Sequence, residues 1–318
     1  MNNLKKIGLT ALAGSLVATS VAYSGELAVS GSAGMNFKNY SDSSTGKAVR
    51  MGNSVFFKGS GETDGGLNVN LSFELDQGTP AGDGPFDSHF VSVGNDTLGT
   101  LTVHGHGGSN SAAALDTTAA GDLWDNTLMT TTGTTAAKFS PLAATSGDNL
   151  MVYSLPTLVD GLAVPGSYQA ANTTGSGSTA LGATYSGIEG LSLSYGQGSS
   201  DDVKDIAGDQ TIMKASYAYG PITVAASNND YDHTTATNDQ EVSSVSIAYT
   251  VSDNISVSYG EETIDLSGEA QDIEISGVSV SYTSGGMTAT FAQVEAENVD
   301  HIQNTDKEVW KIGLSFAF

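Results

Sequence analysis

"VWKIGLSFAF" fills residues 309–318, the last ten of the chain. Trp310, Ile312, Leu314, Phe316 and Phe318 take every second place, with Lys311, Gly313, Ser315 and Ala317 between them. Strict alternation describes a strand with one apolar and one polar face. Terminal residues usually fray in water. An aromatic carboxyl terminus inside such a pattern therefore predicts a final strand that is held along both edges.

The same period runs upstream. In "ELAVSGSAGMNFK", Leu27, Val29, Ala33, Met35 and Phe37 share a face, and Ser30, Ser32, Asn36 and Lys38 share the other. In "LNVNLSFELD", Leu67 to Leu75 alternate with Asn68 to Asp76, and later copies include Met213/Ala215/Tyr217/Tyr219 and Val245/Ile247/Tyr249/Val251. Connections alternate too. Short ones fall at 63–66, 95–99, 156–161, 187–190, 219–221, 252–254 and 284–286. Longer polar ones lie near 41–48, 79–86, 108–148, 171–178, 200–209, 233–239, 267–273 and 299–308. Seven turns and eight loops imply sixteen strands with both termini at the short-turn end.

A soluble sandwich would bury the apolar faces between two sheets. Against it stand polar faces made of Ser, Thr, Asn and Gly, with few solvated Lys/Glu pairs. Tyrosines 185, 195, 217, 219, 249, 259 and 282 cluster near strand ends, as an interfacial girdle would. Short turns on one side and long loops on the other are a mark of transmembrane barrels. Lipid offers backbone groups no hydrogen bonds, so a spanning sheet has to close on itself. The expectation is all-β: a transmembrane, antiparallel, up-and-down β-barrel of sixteen strands over residues 25–318.

The amino terminus fits export. "MNNLKK" is basic, an apolar run follows, and Ala22 and Ser24 are small, so residues 1–24 read as a signal peptide cleaved after Ser24, with cleavage after Ala22 as the alternative. The 318 residues hold 35 acidic side chains against 11 basic ones, a formal charge of −24, and no cysteine, which excludes disulfides and thiolate chemistry. A basic patch for nucleic acid is missing. There is no G-x-S-x-G elbow, H-E-x-x-H or P-loop, and His89, His104, His106, His233 and His301 stand outside recognisable catalytic contexts, so the chain reads as a non-enzyme that needs no cofactor.

Taken together, the signal peptide, the mature start "GELAVSGSAG" and the alternating last strand ending in phenylalanine resemble a general porin of Gram-negative bacteria, with the closest likeness to those of alphaproteobacteria. The resemblance implies an outer-membrane homotrimer in contact with lipid and lipopolysaccharide. It implies a water-filled channel for passive diffusion of small hydrophilic solutes and ions. It also implies that Trp310, Ile312, Leu314, Phe316 and Phe318 form the signal read by the outer-membrane assembly machinery. The third long loop, here 108–148, would fold inward and narrow the pore, bringing Asp116, Asp122 and Asp125 to the constriction.

Such porins set arginines opposite that loop, whereas this chain has a single arginine, Arg50. Strand parity puts Lys38, Arg50, Lys58, His104 and His106 on the polar face as the basic wall, and Glu62, Glu74, Asp76 and Glu262 on lumen positions. Lining carboxylates favour cations, so weak cation selectivity is expected. In the outer loops Asp201, Asp202, Asp205 and Asp209 have oxygen-rich spacing for calcium but lack the ligand ladder of an EF-hand. Two other readings compete. One is a substrate-selective channel. The other is a plugged barrel with a structural or adhesive surface role.

Overall fold

The computed structural model describes residues 25–41, 46–76, 86–124, 128, 147–171, 177–201, 207–235 and 238–318. The expected signal peptide, Asp125, Asp202 and Asp205 lie outside these residues.

Alternation is converted into strands almost without interruption. They are β1 (Glu26–Tyr40), β2 (Lys47–Glu62), β3 (Asn68–Asp76), β4 (Ser88–Asn95), β5 (Gly99–His106), β6 (Leu150–Ser154), β7 (Leu162–Ala163), β8 (Pro165–Gln169), β9 (Ser178–Ile188), β10 (Leu191–Ser200), β11 (Gly208–Tyr219), β12 (Ile222–His233), β13 (Gln240–Ser252), β14 (Ile255–Leu266), β15 (Ile273–Ser284), β16 (Met287–Glu297) and β17 (Lys307–Ala317). The short β7 and β8 are one traverse. Both pair with β9 in a continuous register (Leu162↔Tyr185, Gly166↔Leu181), and the ladder is broken where Pro165 has no N–H to donate. Seventeen pieces therefore make the sixteen expected traverses, all antiparallel.

The sheet closes as the last ten residues imply. β17 pairs with β16 on one edge (Met287↔Phe316) and with β1 on the other (Ser32↔Ala317 through Tyr40↔Val309). At the foot of the seam Gly31 N donates to Phe318 O at 2.7 Å and Phe318 N donates to Gly31 O at 3.0 Å. A Cβ at Gly31 would lie 2.6 Å from the Phe318 ring, so only glycine leaves the ring room to lie over the first strand. Each described traverse finds a partner on both edges, so that among the described residues no row of backbone donors is left open to lipid.

The outward face is apolar. Leu27 is 70% exposed and Val49 78%, and Met35, Tyr217, Ile247, Val280 and Phe291 follow around the wall. Bare surfaces of this kind are rare on soluble monomers and match a lipid-facing band. Among the described residues no helix is long and apolar enough to cross a membrane; the strands do the crossing.

Above that band the alternation inverts. In β13 Val245 and Ile247 face outward, yet Val242 is buried inside. In β15 Val278 and Val280 face outward, while Ile273 and Ile275 are buried within. β14, β16 and β17 repeat the pattern with Ile264, Val294 and Val309, and the outward places near them are taken by Glu261, Glu295 and Glu308. At the long-loop end of β13–β17 carboxylates stand outside and an apolar cluster lies inside.

Candidate functional site

That cluster explains the inversion, because the described part of the connection after β5, residues 107–124 and Leu128, lies against the inner wall. Trp124, 2% exposed, and Leu128, 1% exposed, pack with Tyr40, Ile264, Ile275, Val294 and Val309 on the inner wall. Burying two large side chains contributes about 1.5–3 kcal/mol each, enough to hold a connection that water would otherwise solvate.

Polar contacts continue the docking strand by strand. Asn110 Oδ1 accepts from Ala112 N and Ala113 N at 3.0 and 2.8 Å and shapes the single turn Ala113–Leu115. Ser111 N donates to Ser167 Oγ on β8 at 2.8 Å. Gly182 on β9 and Gly196 on β10 lie under the turn, where a Cβ would meet Ser111 O and Ala112. Lys214 Nζ on β11 donates to Thr117 O at 2.7 Å, and Ser227 Oγ on β12 accepts from Ala119 N at 2.8 Å. On β13, Ser244 Oγ accepts from Ala120 N and Ser246 Oγ donates to Ala119 O. Gly260 on β14 and Gly277 on β15 leave space for Ala120 and Leu123.

Glu262 on β14 is the strongest single anchor. Its side chain points into the lumen and is 2% exposed. Oε1 accepts from Thr118 Oγ1 at 2.5 Å and from Leu123 N at 2.8 Å, and Oε2 accepts from Trp124 N at 3.2 Å. A carboxylate from the barrel wall thus caps the turn that carries Trp124, where free amide donors favour negative charge. Sequence parity placed Glu262 on the lumen as a pore charge; the structure gives it to the loop.

The other expected site residues separate into groups. Asp122 turns back on its own loop: Oδ1 accepts from Thr118 N at 2.8 Å, and Asp122 N donates to Thr118 Oγ1 at 2.8 Å. Burial pushes its carboxyl above the ordinary aspartate range, against the opposing pull of the Thr118 bonds and the nearby Lys214. Asp116 is half-buried at the end of the Ala113–Leu115 turn. Lys38, Arg50 and Lys58 lie on the inner faces of β1 and β2, with Lys58 Nζ 5.4 Å from the Phe56 ring centroid. His104 stands 5.4 Å from the Phe90 ring, centroid to centroid, and His106 Nδ1 meets Asp148 Oδ1 at 2.5 Å, tying the base of the loop to β5. Of the calcium candidates, Asp209 lies on the outer side of β11 and Asp201 just past β10. Among the described residues no three His, Asp or Glu side chains are grouped to hold a metal ion.

Three inward-facing cations escaped the parity reading, Lys307 of β17 among them. Lys311 on β17 sits directly across from Lys38 on β1, and Lys214 reaches the loop. Both were legible, since Lys311 occupies the polar phase of the closing strand and Lys214 that of "IMKASYAY". Every described cation except Lys47 faces inward, which leaves much of the protein's acidity on the outer surface and rim.

Comparison with known proteins agrees with this architecture. A family model described as Gram-negative porin matches residues 8–302. No curated protein sequence matches the chain significantly. Among solved structures, the chain is similar to an anion-selective porin from Comamonas acidovorans, at 12% identity and TM-score 0.69, covering 92% of this chain and 100% of that one. In-vitro folded OmpT, an outer membrane protein of Vibrio cholerae, aligns at 14% identity and TM-score 0.67, covering 93% and 98%. An engineered variant of the Rh. blastica porin aligns at 15% identity and TM-score 0.65, covering 92% and 100%. Such distant likenesses speak to the fold, while the family match spans nearly the whole sequence. The chain belongs to the Gram-negative porin family and is a channel barrel of the outer membrane.

Proposed function

We propose that the protein is a passive diffusion pore for small hydrophilic solutes and ions, with its width set by the 107–149 loop and a weak preference for cations. The observation that carries this reading is the docked loop. Its described residues contact the inner wall on successive strands from β8 to β15, which supports a lumen narrowed from one side.

Selectivity follows from where the charges stand. Lys38, Arg50, Lys58, Lys214, Lys307 and Lys311 face inward, close to balance with Glu26, Glu62, Glu74, Asp76 and the loop acids Asp116 and Asp122. Glu262 is taken up by the loop. The cation preference then arises at the acidic outer mouth, from residues such as Asp201, Asp239, Asp272 and Asp306. Family kinship supports a homotrimer in contact with lipopolysaccharide, and the closing strand suits recognition by the assembly machinery.

The test is a planar bilayer with purified protein under a salt gradient. A large ohmic conductance is expected, with a cation-sign reversal potential that shrinks as salt rises. The screening length falls from about 10 Å at 0.1 M to about 3 Å at 1 M, so a field set at a wide mouth is lost first. A folded, heat-resistant barrel without conductance overturns the pore reading. A preference that survives 1 M salt moves its origin to the constriction.

A further inference from the structure

Loop contacts run from β8 through β17 to Tyr40 and Ala48, and β3 and β4 form the wall between β2 and β5. The wall around these strands is not the uniform Ser/Thr/Asn surface of a plain water channel. In the register β2–β3–β4–β5, Lys58, Ser72, Phe90 and His104 stand side by side on the inner face. One step toward the long loops, Phe56 pairs with Glu74, and Glu74 Oε2 accepts from Ser88 Oγ at 2.8 Å. Phe56 and Phe90 are only partly buried.

Two phenylalanine rings turned toward a water-filled lumen forgo the lipid or core burial that such side chains usually find. They stand between one cation and one carboxylate, so the patch carries almost no net charge with which to select an ion. Lys58 lies at the Phe56 ring and Glu74 is braced by Ser88, which holds a donor and an acceptor beside the aromatic surfaces. Binding sites for small molecules combine such aromatic surface with a few fixed polar groups.

We propose that the inner wall of β2–β5 is a subsite for neutral hydroxylated rings, of the size of a mono- or disaccharide. The apolar face of the ring lies on Phe56 or Phe90, and its hydroxyls meet Lys58, Glu74 and His104. The inference rests on the diffusion-pore reading and adds a class of preferred solute to it.

Glucose and its open-chain relative sorbitol separate ring recognition from bulk effects, since both are small polyols and only one has a ring face. In single-channel recordings, glucose is expected to lower the current with a saturable concentration dependence. Sorbitol is expected to lower it only in proportion to solution viscosity. The variant Phe56→Leu/Phe90→Leu keeps apolar bulk while removing both rings, and its glucose response should lose the saturable part. Equal responses to glucose and sorbitol overturn the subsite, as does saturable glucose block in the double variant. A folded wild-type barrel that passes no ions instead fails the pore reading itself, and the two failures are distinguishable. Heat-resistant migration of the variant checks that it has folded.

Discussion

Glu262→Ala removes the one acceptor shared by Thr118, Leu123 and Trp124. Hydrogen bonds to a charged acceptor contribute on the order of 1.5–3 kcal/mol each. Because the three share one group, their loss is smaller than the sum. A buried neutral donor left unpaired costs about 1–3 kcal/mol, so three that share one acceptor should together lose about 3–4 kcal/mol, and every 1.4 kcal/mol is a factor of ten. The ratio of docked to undocked loop should therefore fall roughly a hundredfold to a thousandfold. Glu262→Gln keeps one acceptor oxygen but turns an amide NH2 toward a backbone donor, so a partial loss of about 1–2 kcal/mol is expected.

Two readouts report the loop. Single-channel traces of Glu262→Ala should show larger or fluctuating currents where the wild type is steady. The second readout is fluorescence, since the chain has 2 tryptophans. Trp310 lies on the outward face against Phe37, with ring centroids 5.3 Å apart, and Trp124 is buried in the loop cluster. In a Trp310→Phe background, adding Glu262→Ala should make Trp124 newly accessible to acrylamide. Steady, wild-type-like currents together with full protection of Trp124 would refute the argument and leave the loop held by the apolar cluster and its other wall contacts.

Other consequences concern the loop seat and the seam. Gly260→Val puts a side chain where a Cβ already lies 2.6 Å from Ala120 Cβ. Overpacking of this kind costs about 1–3 kcal/mol, so the loop should be driven toward the lumen with a fall in conductance, partly restored by Ala120→Gly; an unchanged conductance argues against the glycine track. Deleting Phe318 removes both hydrogen bonds to Gly31 at the foot of the seam. A loss of about 1–3 kcal/mol should lower the urea midpoint of the heat-resistant form, and an unshifted midpoint means the seam is closed without its last residue.

Sixteen traverses, their alternation of turn and loop, and the closure through β17 were all readable in advance. Period two is a local property, set by the backbone pleat and by which face meets lipid. The inward fold of the long loop was expected from the resemblance, and locally only Trp124 and Leu128, large apolar residues in a polar stretch, speak for packing. Loop docking depends on contacts such as Thr118 with Glu262, separated by 144 residues, and no local pattern links residues so far apart. The sequence carries one further signal. The apolar phase changes between Ile275 and Val278, between Val242 and Val245, and between Val294 and Phe291, marking where the barrel leaves the membrane and begins to hold its loop.

By itself, then, the sequence determined a closed barrel and the face each strand turns to lipid, because both follow from short-range alternation and from the need to pair every backbone group. Only the tertiary structure decided what the charges do. Glu262, a lumen carboxylate by parity, became a fastening of the loop, and Asp122, which the resemblance brought to the constriction, turned back on its own Thr118, while Lys311 and Lys214 entered the lumen field. A carboxylate's role depends on whether donors from elsewhere in the chain reach it before water does, and that is settled by the closed fold.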